Sequence, residues 1–150
     1  DLLYEQVHIK KKPFLGICLG MQMLFDKSTE FGETAGLGLI PGQVLRLDNY
    51  NEIPEKLPHV SWSGLRPAGE STWNGTILDG IEIDEDMYFV HSYYAEPANK
   101  GNILSVTKYS GRDYCSTVKK NNIYGCQYHP EKSAKKGLRV INNFVEICRG

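Results

Sequence analysis

The stretch FLGICLGMQ, residues 14–22, decides how this sequence is interpreted. Its apolar start predicts a short buried strand over residues 14–17, and the residues after Cys18 predict a helix over 19–25 with an apolar side. Cys18 stands between Gly16 and Gly20 in the pattern G-x-C-x-G. The serine form of this pattern holds a nucleophile on a sharp turn between a strand and a helix.

A cysteine on such a turn would have a strained backbone, so Gly16 and Gly20 are expected to be small because side chains would collide there. At the start of a helix, the dipole and the free N–H groups favour a thiolate. The N–H of Leu19 would point at a developing oxyanion. The alternative is a buried structural cysteine, and this stretch alone does not decide between the two interpretations.

A reactive thiol needs a base, and the HPE sequence that begins at His129 predicts one. Pro130 biases His129 towards extended geometry. Residues two apart in an extended segment project to the same side, so Glu131 would orient the imidazole. The alternative for HPE is a loop with an exposed acid. The remaining histidines are interpreted as one solvated residue and two packed strand residues: His8, His59 and His91.

Length and composition indicate one globular domain of 150 residues with a formal net charge of −1 and a pI near 6.5. Nothing in this balance requires nucleic acid or a membrane surface as a partner. The four cysteines are irregularly spaced, which fits a reducing cytoplasm. Cys126 and His129 would face opposite sides of a strand, so no zinc site is predicted, and no cofactor is expected.

Periodicity predicts the order helix, strand, helix, several strands, helix. A helix ends near residue 12. Strands are predicted over residues 44–47, 58–62, 87–94, 103–109, 114–120 and 123–129, with a tight turn at 121–122. The last helix, over 133–148, is predicted to bury one face: Leu138, Ile141, Phe144, Val145 and Cys148. A parallel opening and an antiparallel middle predict a three-layer α/β sandwich with antiparallel strands in its C-terminal half.

Five stretches in this order, PFLGICLGMQMLF, GLGLIPGQV, PHVSW, YFVHSYY and YGCQYHPEKS, resemble the class I glutamine amidotransferases. Within them, the sequence resembles the glutaminase subunits of imidazole glycerol phosphate synthase. The resemblance implies a flavodoxin-like fold and a single amidotransferase domain over residues 1–150. That family begins with about one further βαβ portion, which supplies part of the oxyanion hole. We therefore expect these residues to lack the N-terminal strands and to be impaired as a glutaminase.

The resemblance also implies roles for particular residues. It implies a catalytic triad of Cys18, His129 and Glu131. It implies contacts to the substrate glutamine from Gly20, Leu19, Gln22, Ser92 and Tyr93. It implies an interface with a partner at Trp62, Tyr88 and Lys132. The partner would be a synthase (cyclase) subunit, a (βα)8 barrel that forms a heterodimer with this subunit and uses the released ammonia in histidine biosynthesis.

One motif departs from the histidine-pathway pattern. Residues 58–63 read PHVSWS where that branch has P-H-M-G-W-N, in a region expected to contact the partner. A close relative that supplies ammonia for acetamidino sugars of bacterial surface polysaccharides is therefore an alternative. Two further alternatives are a class I cysteine hydrolase acting on another amide, against which Gln22 argues, and a non-catalytic regulatory subunit, against which the triad argues.

Overall fold

A computed structural model describes residues 1–47, 57–70 and 72–150. Its helices are α1 (Leu2–Tyr4), which continues as a wider helical turn over Glu5–Ile9, α2 (Leu19–Gln22) and α3 (Ala134–Arg149). The described part of the chain forms the strands β1 (Phe14–Ile17), β2 (Lys27–Ser28), β3 (Thr34–Ala35), β4 (Gly42–Arg46), β5 (His59–Pro67), β6 (Glu85–His91), β7 (Tyr93–Pro97), β8 (Ile103–Tyr109), β9 (Arg112–Lys120) and β10 (Ile123–Cys126).

These strands form one mixed sheet in the order β3-β2-β4-β7-β9-β8-β5-β6, with β10 between β9 and β1. The pairs β1–β10 and β2–β4 are parallel, and the remaining pairs within the described residues are antiparallel. The predicted hairpin is confirmed, because Ile123 pairs with Lys120 across residues 121–122. The predicted combination of a parallel opening and antiparallel strands is therefore also confirmed.

Strand β10 shows the layers, because alternate residues face two different cores. Tyr124 belongs to a core that includes Val140 of α3. Ile123 belongs to a second core that includes Val7 of the N-terminal helical segment and Met21 of α2. Helical segments thus cover both faces of this part of the sheet, which confirms the predicted three-layer α/β sandwich.

Helix α2 is shorter than predicted, since it ends at Gln22 instead of residue 25. The carbonyls that would continue it accept hydrogen bonds from the following loop. The Met23 carbonyl accepts from Leu37 N–H (2.8 Å), and the Leu24 carbonyl accepts from the N–H groups of Leu39 and Ile40 (2.8 and 3.0 Å). Leu24 remains fully buried, so its side chain joins the core from a turn.

The extent of α3 agrees with the prediction, but the predicted buried face is only partly right. Ile141 and Phe144 are half-buried, and Phe144 packs against the core that contains Val140. The buried positions are Gly137 and Val140, whereas Leu138, Val145 and Cys148 are exposed. A Cβ built on Gly137 would lie 2.0 Å from the carbonyl oxygen of Pro130, so the helix packs on the HPE turn through this glycine. That close approach sets the rotation of the helix about its axis.

Two predicted strands end earlier than expected. The strand over residues 87–94 divides at Ser92 into β6 and β7, and the strand over 123–129 stops at Cys126. His129 therefore lies on the connection after β10. In the ranges that the structure describes, no helix has both the length and the apolar character needed to span a membrane.

Candidate active site

Cys18 lies on a sharp turn between β1 and α2, as the G-x-C-x-G pattern predicts. Its φ of 53° and ψ of −108° place a non-glycine residue in a strained conformation. The turn is held by a hydrogen bond from the Cys18 N–H to the Cys126 carbonyl (2.7 Å) and by one from the Gln22 N–H to the Cys18 carbonyl (3.2 Å). This is the strand–turn–helix context in which a nucleophile is presented.

The two glycines of the motif have different roles. A Cβ on Gly16 would lie 2.5 Å from the carbonyl oxygen of Gly20, so the prediction that position 16 must be small is confirmed. A Cβ on Gly20 would meet nothing within 4 Å, so the same prediction for position 20 is wrong. The collision is one-sided, because the backbone of Gly20 occupies the space above Gly16.

His129 and Glu131 are in direct contact. The Glu131 Oε1 lies 2.6 Å from His129 Nδ1, so the carboxylate reaches the imidazole as the sequence predicts. His129 itself is extended (φ −99°, ψ 94°), as expected before proline, but Pro130–Lys132 forms a 3₁₀ turn where an extended segment was predicted. Ser133 fixes the turn, because its Oγ donates to the His129 carbonyl (2.6 Å) and accepts from the Tyr88 N–H (2.9 Å).

The sheet brings the thiol and the imidazole to one edge. Ile17 pairs with Cys126 at the carboxyl ends of the parallel strands β1 and β10; Cys18 follows the first strand directly and His129 lies three residues beyond the second. Ligand sites in α/β sheets lie outside such ends. The thiol contacts the Val90 carbonyl (Sγ–O 3.9 Å) and the Gln127 amide (3.8 Å); within the described residues it makes no hydrogen bond to the imidazole.

The electrostatics of Cys18 differ from the sequence-based expectation. Burial raises the pKa of the thiol above its ordinary value, and the negative charge of Glu131 raises it further. The Leu19 N–H, the Gln127 amide and the Lys132 charge act in the opposite direction on this pKa. The Leu19 N–H thus favours the thiolate as predicted, but desolvation has the larger effect, so the thiol pKa is raised overall at the start of a helix that is only four residues long.

Gln22 connects the Cys18 turn to β7 and to Gln127, the residue whose amide contacts the thiol. Its Nε2 donates to the Tyr93 carbonyl (3.0 Å) and to Gln127 Oε1 (3.1 Å). Tyr93 takes part in this contact through its backbone carbonyl. Ser92 also lies on this connection, and its carbonyl accepts from the Leu47 N–H (2.9 Å). Gln127 was missed by reasoning from the sequence, although it directly precedes the YHPE stretch.

The buried histidines support this connection. His91 Nδ1 lies 2.7 Å from the Tyr93 carbonyl, and its Nε2 lies 3.0 Å from the Tyr114 hydroxyl, which is 3.3 Å from His59 Nδ1. Burial lowers the pKa of His91 to about 4. A neutral His91 that donates from Nδ1 and accepts at Nε2 fits both contacts. The prediction that His59 and His91 are packed, hydrogen-bonded residues is confirmed.

A cavity of about 210 Å³ opens beside α2. Its wall includes Leu19 and Gln22 together with Lys27 and Glu30 from the next segment of the chain. Sequence reasoning missed Glu30, since it lies in a segment without clear periodicity. Among the residues that the structure describes, no group of three or more His, Cys, Asp or Glu side chains is arranged to hold a metal ion.

The three residues expected at a partner interface lie close to His129 on the outside of the molecule. Trp62 and Tyr88 pair across β5 and β6 with ring centroids 5.8 Å apart, and Trp62 is 51% exposed. Lys132 is exposed at the end of the HPE turn. The Tyr88 carbonyl accepts the His129 N–H (3.0 Å), so this aromatic pair borders the site directly.

Comparisons with known proteins agree on a family. The family model for glutamine amidotransferase class-I matches residues 2–148. The imidazole glycerol phosphate synthase subunit HisH 1 of Legionella pneumophila (strain Lens) is 46% identical over 139 residues, which are 91% of this chain and 65% of that protein. The subunit HisH of Pelagibacter ubique is 46% identical over 147 residues, which are 98% of this chain and 68% of that protein.

Solved structures agree on the fold. A structure described as glutamine amidotransferase matches with a TM-score of 0.63 at 14% identity, over 99% of this chain and 67% of that one. A glutamine amidotransferase from Thermotoga maritima matches with a TM-score of 0.57 at 18% identity, over 99% of this chain and 53% of that one. The chain spans about two thirds of the length of the curated relatives it matches.

Proposed function

This chain belongs to the class I glutamine amidotransferase family, and we propose that it is a glutaminase with Cys18 as nucleophile, His129 as base and Glu131 as the residue that orients the base. The observation that carries this proposal is the placement of a strained cysteine turn and a carboxylate-paired histidine at the carboxyl ends of two adjacent parallel strands. We also propose that residues 1–150 act as a single amidotransferase domain.

The reaction begins when His129 takes the thiol proton and Cys18 Sγ attacks the side-chain amide carbon of glutamine. Glu131 stabilises the imidazolium that forms. The tetrahedral oxyanion is met by the Leu19 N–H. Collapse breaks the C–N bond, and the imidazolium proton leaves with the amide nitrogen as ammonia. Water then attacks the thioester with His129 as base, which releases glutamate and restores the thiol.

The raised pKa of Cys18 suits this sequence of steps. A raised pKa favours the protonated thiol in the free protein, so the proton passes to His129 as Cys18 attacks the substrate. The charge of Glu131 raises the thiol pKa in the free protein. Once His129 is protonated, its positive charge is opposite in sign to the carboxylate and the thiolate and stabilises both.

We propose that the glutamine backbone occupies the cavity beside α2. Gln22 directs its Nε2 to Tyr93 and Gln127, so its carbonyl oxygen is the part of the amide left for a ligand. The Glu30 carboxylate in the same wall is suited to an α-ammonium group. Leu19, Gly20 and Ser92 complete the proposed contacts to the substrate around the Cys18 turn.

The test is glutamine hydrolysis by the wild-type protein and by the Cys18→Ser and His129→Asn variants, in the presence of a synthase subunit. We expect release of glutamate and ammonia by the wild type, with both variants reduced by at least about 10³ in kcat. A Cys18→Ser or His129→Asn variant as active as the wild type would refute the proposal.

We further propose that the ammonia passes to a synthase (cyclase) subunit for imidazole glycerol phosphate formation in histidine biosynthesis. Relatives that are 41–46% identical and named as subunits of that synthase support this choice over a surface-polysaccharide pathway. The resemblance describes the partner as a (βα)8 barrel in a heterodimer. Free cysteines and these biosynthetic relatives support a cytoplasmic location.

The partner surface is tested by Trp62→Ala, with Ile83→Ala as the matched control. Ile83 is 64% exposed and lies outside the Trp62–Tyr88 surface. Exposed aromatic residues at interfaces often dominate the binding energy, so we expect Trp62→Ala to weaken synthase binding more than about tenfold. Equal binding by the two variants in calorimetry would place the interface elsewhere.

A further inference from the structure

Gln127 is the buried polar residue that links the glutamine site to the thiol. It follows β10 directly, has no exposed surface, and its backbone N–H donates to the Ser116 carbonyl (2.9 Å). Its Oε1 accepts from Gln22 Nε2 (3.1 Å), and its Nε2 lies 3.8 Å from Cys18 Sγ. Buried amides are almost always hydrogen-bonded, and within the part of the chain that the structure describes the thiol is one of this side chain's two partners.

The orientation of the Gln127 amide is fixed by a chain of hydrogen bonds that begins at the Tyr93 carbonyl. The Tyr93 carbonyl can only accept, so Gln22 must direct its Nε2 towards it. The other N–H of the same Nε2 then points at Gln127, which must accept this hydrogen bond with its Oε1. Gln127 is thereby left with its NH₂ group on the side of Cys18. One backbone carbonyl thus determines that the sulfur meets a donor.

We propose that Gln127 is a thiol-positioning residue, whose amide N–H holds Cys18 Sγ on the side of the site that faces Val90 and stabilises the thiolate during attack. This inference rests on the proposed glutaminase function. The contact already lowers the pKa of the thiol against the effect of burial. A neutral donor suits the task, because it favours the thiolate without pairing with it as a charge, so the sulfur remains nucleophilic.

Other charges also act on this sulfur, so the experiment must separate them from Gln127. Glu131 raises the pKa of Cys18 and Lys132 lowers it, while His129 is the proposed base. Substitutions at position 127 leave all three side chains in place. The readout is therefore the pH dependence of Cys18 alkylation by iodoacetamide, which requires no glutamine turnover.

The experiment uses the full chain in a Cys148→Ser background, because Cys148 is exposed whereas Cys115 and Cys126 are buried. Gln127→Met keeps the length of the side chain without the donor, and Gln127→Glu keeps the shape but presents a carboxylate to the sulfur. We expect alkylation at neutral pH to slow about five-fold in Gln127→Met and further in Gln127→Glu. Gln43→Met is the matched control, since the Gln43 side chain donates to Glu96 (3.1 Å) at an exposed site within β4, and the rate of Cys18 alkylation should not change in this variant.

Circular dichroism identifies a variant that fails to fold. If neither Gln127 variant folds, the inference is tested with Gln22→Met. It leaves Gln127 in place but removes the donor that orients its amide, so a smaller slowing is expected. Alkylation with unchanged pH dependence in the folded Gln127 variants, or in Gln22→Met if neither folds, overturns the inference. Slowed alkylation in a protein whose glutamine hydrolysis does not depend on Cys18 would overturn the proposed function and leave this inference standing.

Discussion

Replacing Gly16 with alanine tests how the nucleophile turn is built. The new Cβ would lie 2.5 Å from the Gly20 carbonyl oxygen, 2.7 Å from the Gly20 carbonyl carbon and 2.8 Å from the Met21 nitrogen. These separations are about 1 Å shorter than an ordinary contact near 3.5 Å. All three atoms belong to the backbone, so no side-chain rotation relieves the overlap, and α2 must move away from β1.

The cost depends on the side chains that α2 carries. Met21 is fully buried, so a shift of the helix disturbs the core that also contains Val7 and Ile123. Overpacking usually costs about 1–3 kcal/mol, and a collision with backbone belongs at the upper end. We expect Gly16→Ala to lower the free energy of unfolding by about 3 kcal/mol. For a chain of this size, that corresponds to a fall in Tm of roughly 6–12 °C.

Gly20→Ala is the matched control for stability. Its Cβ would meet nothing within 4 Å, and alanine gains up to about 1 kcal/mol over glycine in a helix. Urea unfolding followed by circular dichroism measures both variants. The one-sided collision would be refuted if the free energy of unfolding of Gly16→Ala were within about 0.5 kcal/mol of the wild type. It would also be refuted if Gly20→Ala lost as much free energy of unfolding as Gly16→Ala.

Burial and charge lead to three further predictions. The folded state keeps His91 neutral with a pKa of about 4, below the ordinary 6.5. The stabilisation from this neutral histidine is therefore fully present above pH 6.5 and falls by as much as about 3 kcal/mol as the pH drops through 4. His91→Gln should remove this part of the pH dependence of urea unfolding. An unchanged pH dependence in that variant would contradict the prediction. Glu131→Gln removes a charge that raises the pKa of Cys18, so alkylation should become faster at neutral pH while glutamine turnover falls by about 10² or more; a parallel loss of both would contradict the separate roles. Val140→Ala should lower the free energy of unfolding in urea by about 2 kcal/mol, and Leu138→Ala should lower it by less than about 0.5 kcal/mol. The reverse order would mean that α3 buries the face predicted from periodicity.

The elements that could be predicted from the sequence depend on local chemistry. A glycine on each side of Cys18 indicates a strained turn, and the pair of asparagines at 121–122 indicates a hairpin. The contact between His129 and Glu131 also follows from their short separation, although the chain forms a 3₁₀ turn where an extended segment was expected. In each case the residues that decide the geometry lie within a few positions of one another.

The features that were missed depend on distant parts of the chain. Gln127 meets Gln22 across 105 positions, and only the strand register brings the two amides together. The raised pKa of Cys18 follows from burial by elements that no local pattern reveals. The buried face of α3 is chosen by the contact between Gly137 and Pro130, whereas hydrophobic periodicity alone favours a neighbouring face.

Strand β6 supplies the site with main-chain atoms. The Val90 carbonyl faces the thiol, the Tyr88 carbonyl accepts the His129 N–H, and the Tyr88 N–H donates to Ser133. The side chain of Tyr88 meanwhile pairs with Trp62 on the outer surface. A substitution of the Tyr88 side chain that keeps the backbone in place therefore leaves these main-chain contacts to the Cys18 sulfur, the His129 N–H and Ser133 unaltered. In evolution, the exposed surface formed by Trp62 and Tyr88 can thus change its side chains while the backbone of β6 keeps the Cys18 and His129 turns in position.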